Sequence, residues 1–553
     1  MISGSRRLVC AVVLAFEVTA AHADVTISTA ATQDMSCTEG VCAPTAASAV
    51  LNAGDLESML ASGDIKVTTT GSGVQSQNIV VAAQIAWSST SALALDAYQS
   101  IEIRRPLAMQ GLAALSLTTN DGGQGGVLEF GGHGHVTFAN LSSSLSINAV
   151  PYTLVGSVKD IASSVSANPT GKFALAADYD AKVDGIYTTA PVGTELDGRF
   201  EGLGNAISNL TISDQEYGGT DGLFTELGDD GLIENLTLAN LLFLTNADEV
   251  GGLVGFSSGQ IYSVTINGAV QGGEAGCLAG ETTNGPIENI RTDCKVGGIT
   301  TAGGLVGSNS ATISQSRAMG GVNGIYAGGL VGRDFGQIRF SSATGKVSGL
   351  GDLGGLVGLE DGSIDHSWAG GSVNSNLGSY MGGLVGYLDG GAIDQSFAMG
   401  RVAGDNGSIV GGLVGTLCSC EALTSLTNSY ATGAVRARGG FVGGLVGHSD
   451  GSPIGDSYST GMVRGVAHSD RGGFVGYDGG PGQILDGYWD TTTSNITDPS
   501  QGTGNVANDP GITGLTTAQL QSGLPAGFSN TIWAENPNIN RGLPYLTGNP
   551  PAK

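Results

Sequence analysis

Five aromatic residues recur at one position of a repeating unit, and their chemistry suits them to holding a ligand. Trp368, Phe397, Tyr430 and Tyr458 each follow a Ser, and Tyr488 takes the same place near the last copy. Stacked units align equivalent positions in space, so these rings are expected to form a column. An outward column could stack on sugar rings or pack against a partner; an inward one is simply core. Alternation in the sequence does not choose the face, and core packing is the plainer reading.

Residues that could do catalysis are harder to find. Zinc peptidase chemistry needs two His one helical turn apart beside a Glu, and none of the six His stands in His-Glu-x-x-His. Gly132-His133-Gly134-His135 puts two imidazoles on one face of a strand, where they could hold a metal; a solvated Gly-rich strand end explains them as well. Gly349-x-Gly351-x-x-Gly354 matches a dinucleotide fingerprint without the strand-turn-helix setting that fingerprint needs. No Gly-x-Ser-x-Gly lies in an α/β context with a plausible triad. Asp365 and Asp394 occupy equivalent positions in adjacent units, with Asp456 and Asp486 further on. Side-chain bonding at turn corners accounts for them; a carboxylate pair for glycoside cleavage or a calcium site are the rivals. No catalytic, cofactor-binding or metal residue is therefore assigned, and the chain is read as a non-enzyme.

The element that must position the rings is a repeat. Gly-Gly-Leu-Val-Gly starts at Gly251, Gly303, Gly328, Gly354, Gly382, Gly411 and Gly443, with looser copies at Gly276 and Gly472. The intervals are 25, 27, 25, 26, 28, 29, 32 and 29 residues, a range that marks units burying their apolar faces against their neighbours. Between copies runs Ile-x-x-Ser-x-Ala-x-Gly-x-Val, as in Ile364–Val373, which from the Ser onward has the period of a strand. Asp361-Gly362-Ser363 and its equivalents supply the turn before it. Two or three strands per unit predict one coil of a parallel β-solenoid, the coils about 4.8 Å apart. The fold class is thus all-β, a β-helix of roughly 25–30-residue repeats with both ends capped against edge pairing.

Five segments follow from this. Residues 1–23 read as an export signal: Arg6 and Arg7, an apolar run from Leu8 to Ala21, and small residues before Asp24. Residues 24–78 read as a leader or N-terminal cap, 79–199 as a segment of short alternating strands with a helix near Val158–Val165, 200–490 as the repeat solenoid, and 491–553 as a C-terminal cap with a helix near Thr516–Gln521. Beyond the signal no apolar run is long enough to cross a bilayer.

Six Cys follow the signal in three close pairs, Cys37/Cys42, Cys277/Cys294 and Cys418/Cys420. Even pairing in an exported chain favours disulfides among Cys37, Cys42, Cys277 and Cys294, with the connectivity left open and a metal site the rival; the third pair is tight and expected to stay reduced. The net charge of −27 is dispersed and repels phosphate backbones and anionic lipid, which excludes nucleic acid as a partner class.

The repeats resemble those of the GLUG-motif family of bacterial surface and exported proteins, because Gly-Gly-Leu-Val-Gly and Ser-aromatic-Ala-x-Gly-x-Val recur together over about 200–490. The stretch 79–154 is similar to β-helical segments of filamentous-haemagglutinin-type adhesins, through Leu93–Tyr98, Gly125–Gly134 and Tyr152-Thr153-Leu154. The resemblance implies a secreted or cell-surface protein that adheres to a host or neighbouring-cell glycan or protein surface, or to extracellular matrix. A carbohydrate-active solenoid enzyme and a passive cell-envelope spacer are the alternatives.

Overall fold

Strand pairing in register from one coil to the next is the organising feature of the computed structural model, which describes residues 23–418, 424–466, 470–480 and 483–551. The expected export signal lies outside these residues, apart from Ala23. The fold is the expected all-β parallel solenoid. It forms two compact units divided between Tyr152 and Thr153, a division inside the expected 79–199 segment.

In the first unit a coil has three sides. Ile101–Ile103, Leu107–Met109 and Ala114–Thr118 form one coil, and each pairs in parallel with its equivalents at Ile79–Val81, Ile85–Trp87 and Ala92–Asp96. Alternate residues point inward, so Ile101, Ile103, Leu107, Leu115 and Leu117 are buried. Residues 24–78 belong to this stack: Val25–Ser28 pairs with Ile79–Val81, and Ala49–Asn52 is the outermost strand beyond it. They also close two exposed edges. The helix Ala53–Leu60 buries Ala53, Leu56 and Leu60, and its Glu57 accepts the Ala86 amide at 2.8 Å. The hairpin Met35–Thr38/Val41–Pro44, bridged by Cys37–Cys42, pairs with Ile65–Thr68. Both devices occupy backbone groups that would otherwise invite another strand.

In the second unit the helix Val158–Ala167 inserts Val158, Ile161 and Val165 into the apolar interior, close to where the sequence places it. Whereas the coils through Thr265–Gly276 and Arg291–Gly303 carry three strands, one of them long, a coil from Thr312 to Ser449 carries five short ones rather than the expected two or three. In one coil these are Ser363–Asp365, Trp368–Ala369, Val373–Ser375, Tyr380–Gly382 and Val385–Leu388. The last of them belongs to a ten-stranded parallel sheet running from Phe224–Leu227 to Val475–Asp478.

Steric contacts explain why the motif is spelled with three glycines. A Cβ on the first, as at Gly382, would overlap the Val385 carbonyl oxygen. One on the second, Gly383, would overlap the Gly412 carbonyl oxygen and lie 2.8 Å from the Ala398 methyl, which also accounts for the Ala after Trp368, Phe397 and Tyr430. One on the last, Gly358, would lie 2.8 Å from both Ala327 N and Asp352 O of the neighbouring strands. The intervening Leu and Val are buried in the single core that runs through the unit.

The left-handed corner is not where the sequence places it. Gly362 of Asp361-Gly362-Ser363 does not have positive φ, although Gly391 and Gly451 do. The recurrent left-handed residue is the one before the Ser: Gln315, Phe340, His366, Gln395, Asn428 and Asp456. Each Ser makes this corner tolerable. Ser367 Oγ donates to the Asp365 carbonyl at 2.9 Å and accepts the Ser341 amide of the preceding coil at 3.1 Å, and the same pair of bonds repeats at Ser341, Ser396, Ser429 and Ser457.

The repeat also continues past Tyr488-Trp489-Asp490. The amides of Phe474 and Val475 donate to the Gly502 carbonyl, and Ile512–Leu515 pairs with Gly487–Asp490, so residues 491–515 add one degenerate coil.

Candidate functional site

The aromatic column exists, and its orientation differs from both expectations. Trp368, Phe397, Tyr430, Tyr458 and Tyr488 are paired in register. Successive rings from Trp368 to Tyr458 lie 5.8, 4.8 and 5.0 Å apart and are parallel within 7°. The residue that follows each ring (Ala369, Ala398, Ala431, Ser459, Trp489) is buried on the coil side, whereas the rings form a separate cluster with Leu520, Phe528, Trp533, Leu543 and Leu546. The column thus points away from the coil and is covered by the chain's own C-terminal segment, residues 516–551.

Hydrogen bonds hold this cover in place. Tyr458 Oη donates to the Pro544 carbonyl at 2.6 Å and accepts from Asn540 Nδ2 at 2.7 Å. Tyr488 Oη donates to Ala526 O, and Asn549 Nδ2 reaches the carbonyls of Ser367 and Gln395 at 3.3 and 3.1 Å. Burial raises the Tyr430 and Tyr458 phenols well above their usual range. Phe397, Tyr430 and Tyr458 are fully buried and Trp368 is half-buried, so the ladder is not open to a sugar. Sequence reasoning lacked any signal that a segment 86 residues away would lie on it. Beside the ladder, the same segment leaves a cleft of about 650 Å³ lined by Met399, Thr432, Thr460, Asp490 and Arg541 among others.

The other candidates resolve individually. His133 and His135 lie in the turn before Val136–Phe138, not on one strand face. Gly349, Gly351 and Gly354 lie at the strands Val347–Gly349 and Asp352–Gly354. Asp394 accepts from Thr427 Oγ1 and Asn428 Nδ2 of the next coil, both at 2.8 Å, rather than from its own turn; Asp456 and Asp486 are themselves left-handed corner residues, one position further along their coils. Among the described residues no group of three or more His, Cys, Asp or Glu is placed to hold a metal ion. Cys277 and Cys294 form a disulfide inside the core. Cys418 is disulfide-bonded rather than reduced; Cys420 lies outside the described residues.

Two carboxyls that sequence reasoning missed are fully buried. Asp334 and Glu360 occupy adjacent coils of the ten-stranded sheet, and Asn309 Nδ2 donates to Asp334 Oδ1 at 2.5 Å. Desolvation pushes Asp334 up to about 7 and Glu360 well above the carboxylate range, because two neighbouring carboxylates cannot both ionise in an apolar interior. Both side chains are fully buried.

An open face remains. Two residues before and five after the first glycine of most motifs, the side chains leave the core and lie side by side, with Thr301 and Thr416 the buried exceptions. In successive coils these pairs are Tyr326 and Arg333, Asp352 and Leu359, Tyr380 and Tyr387, Ile409 and Thr416, Phe441 and His448. Arg333 lies over the Tyr326 ring at 5.3 Å, the Tyr380 and Tyr387 rings meet edge-on at 5.3 Å, and Phe441 stacks on Tyr477 of the next coil at 4.7 Å. Tyr380 is 40% exposed and the other rings are partly exposed. Burial pushes Asp352 up to about 6 against the pull of Arg333, and it lowers His448. The sequence shows variable residues at fixed offsets from the motif, but not that the two offsets lie side by side.

No family model matches the chain. Over 95 residues, 17% of this chain, it is 37% identical to Halomucin of Haloquadratum walsbyi, and that match spans 1% of the relative's length. Among solved structures, an IgA1 protease aligns with 52% of this chain and 23% of its own at a TM-score of 0.31 and 17% identity.

Proposed function

We propose that this chain is an exported, surface-exposed β-solenoid related to GLUG-motif repeat proteins, and that it acts by adhesion rather than catalysis. Its partner is a glycan or protein surface on a host or neighbouring cell, or extracellular matrix. The observation that carries this reading is the division of labour within each coil. Glycines, Leu, Val, Ser and Ala are fixed by packing, while the paired surface positions vary from Glu274 and Glu281 to Tyr380 and Tyr387. A constant scaffold displaying a variable line of side chains suits recognition by many modest contacts along one axis. Among the described residues no helix is long and apolar enough to cross a membrane.

The test is binding of the purified chain to arrayed glycans, matrix proteins and whole cells. Retention that weakens stepwise as whole coils are removed supports the reading. Absence of retention on every surface, or turnover of a polysaccharide abolished by a single Asp substitution, refutes it.

A further inference from the structure

The aromatic residues of the open face are not placed at random along the axis. From the coil of Gly328 to that of Gly443 they fall on alternate coils; Phe256, on the coil of Gly251, stands in the same column outside this run. The coils of Gly328, Gly382 and Gly443 carry Tyr326 with Arg333, Tyr380 with Tyr387, and Phe441 with His448. The coils between them, of Gly354 and Gly411, carry Asp352 with Leu359 and Ile409 with Thr416. Tyr477, one coil beyond, leans back to stack on Phe441 and so enlarges the third platform without adding another.

Because parallel coils are separated by one strand spacing, platforms on alternate coils recur every ~10 Å, about the length of two sugar residues in an extended β-1,4-linked chain. In such a chain successive pyranoses are flipped by half a turn. Every second sugar therefore presents the same face, and the C–H groups of that face stack on aromatic rings while the hydroxyls stay wet. We propose that this face binds a neutral polysaccharide with an extended β-1,4-linked backbone, laid parallel to the solenoid axis. The proposal rests on the adhesive reading above and names its ligand.

The charges select within that class. Asp352 and Asp470 stand on the same columns as the rings, and Glu274 and Glu281 extend them, so an anionic polymer meets repulsion along most of the face. Arg333 is packed against Tyr326 and Phe335 and completes a platform rather than offering an open cation. Between the second and third platforms Thr416 is buried and Ile409 only partly exposed.

Binding of cellohexaose, chitohexaose and maltohexaose to the purified chain tests this by calorimetry, with tyrosine fluorescence as a second readout. The first two share the extended backbone; maltohexaose has the same number of sugars on a coiled one. The extended hexamers should bind and maltohexaose should not. Tyr380→Ala should weaken binding at least tenfold, and Tyr326→Ala should do the same if the platforms act together; circular dichroism checks that both remain folded. Failure of both extended oligosaccharides, equal binding of maltohexaose, or wild-type affinity in both variants would each overturn the proposal. Continued adhesion of the intact protein to cells in that event would show that only the ligand assignment had failed.

Discussion

Tyr458 donates a hydrogen bond to the carbonyl of Pro544, 86 residues later in the chain, and this 2.6 Å contact fastens the C-terminal segment over a ladder of stacked rings. Tyr458→Phe keeps the ring in the stack and removes the donor, leaving the Pro544 carbonyl only Asn540 Nδ2. A loss of about 1 kcal/mol in unfolding free energy is expected from denaturant titration. A larger loss would mean that the bond anchors the whole segment cooperatively.

Removing residues 516–553 should bare Phe397, Tyr430 and Tyr458 together. A contiguous aromatic strip of that kind binds hydrophobic dyes and drives self-association. Dye fluorescence and light scattering should both rise relative to the intact chain. A truncated chain that stays monomeric and dye-silent would contradict the placement of the segment on the ladder.

The glycines of the motif are predicted to be unequal to other glycines. Gly383→Ala forces a methyl into the Gly412 carbonyl and towards Ala398, and should cost about 3 kcal/mol by the usual penalty of overpacking. At Gly297 the nearest neighbour of an added Cβ is Gln271 Cγ at 3.8 Å, so Gly297→Ala should be nearly neutral. Thermal unfolding of the two variants side by side distinguishes them.

Stability should decline as pH rises towards neutrality. Asp334 and Glu360 titrate in the folded chain above their unfolded values, so the folded state holds extra protons between about pH 4 and the folded pKa. For Asp334 that window closes at about 7; for Glu360 it extends higher. The penalty is absent below pH 4 and grows through the window. The double variant Asp334→Asn, Glu360→Gln should flatten the slope and be more stable than wild type at pH 7; an unchanged slope would place the titrating groups elsewhere.

The Cys277–Cys294 bridge closes a 17-residue separation between successive coils, with both residues buried. Replacing both by Ala should lower stability by about 3 kcal/mol, the loop-entropy expectation for a ring of that size. Because the bridge is inaccessible, a mild reductant should leave it intact in the folded chain, and thiol labelling before and after denaturation reads this out.

Much of the fold was legible because a solenoid is local: a coil's neighbours are the preceding and following copies of the same motif, so periodicity alone fixes register. The helix at Val158–Ala167 was expected from its own local sequence, and Cys277 and Cys294 were expected as disulfide candidates without a fixed partner. Three things were not. The left-handed corner falls on residues as different as Phe340, His366 and Asp456, because the following Ser satisfies the backbone there and no special residue type is required. Residues 491–515 form a coil that has lost the motif's spelling but keeps Gly502 and Gly504 where the backbone needs them. The covering of the aromatic ladder is a contact between distant segments, and neither composition nor spacing encodes it. For the site, the ladder drew the eye because its rings align in sequence, whereas the open face is visible only once the offsets from the motif are known to lie side by side.

Deleting residues 303–327, one whole repeat, tests most directly whether each motif copy is one rung of a continuous stack. In the intact chain the Leu278 amide donates to the Leu305 carbonyl at 2.8 Å, and Leu305 in turn donates to Leu330. In the shortened chain Leu278 should bond to Leu330 instead, and hydrogen exchange at Leu278 should remain as slow as before. Exchange at unfolded-chain rates on both sides of the deletion would contradict a stack built from interchangeable coils.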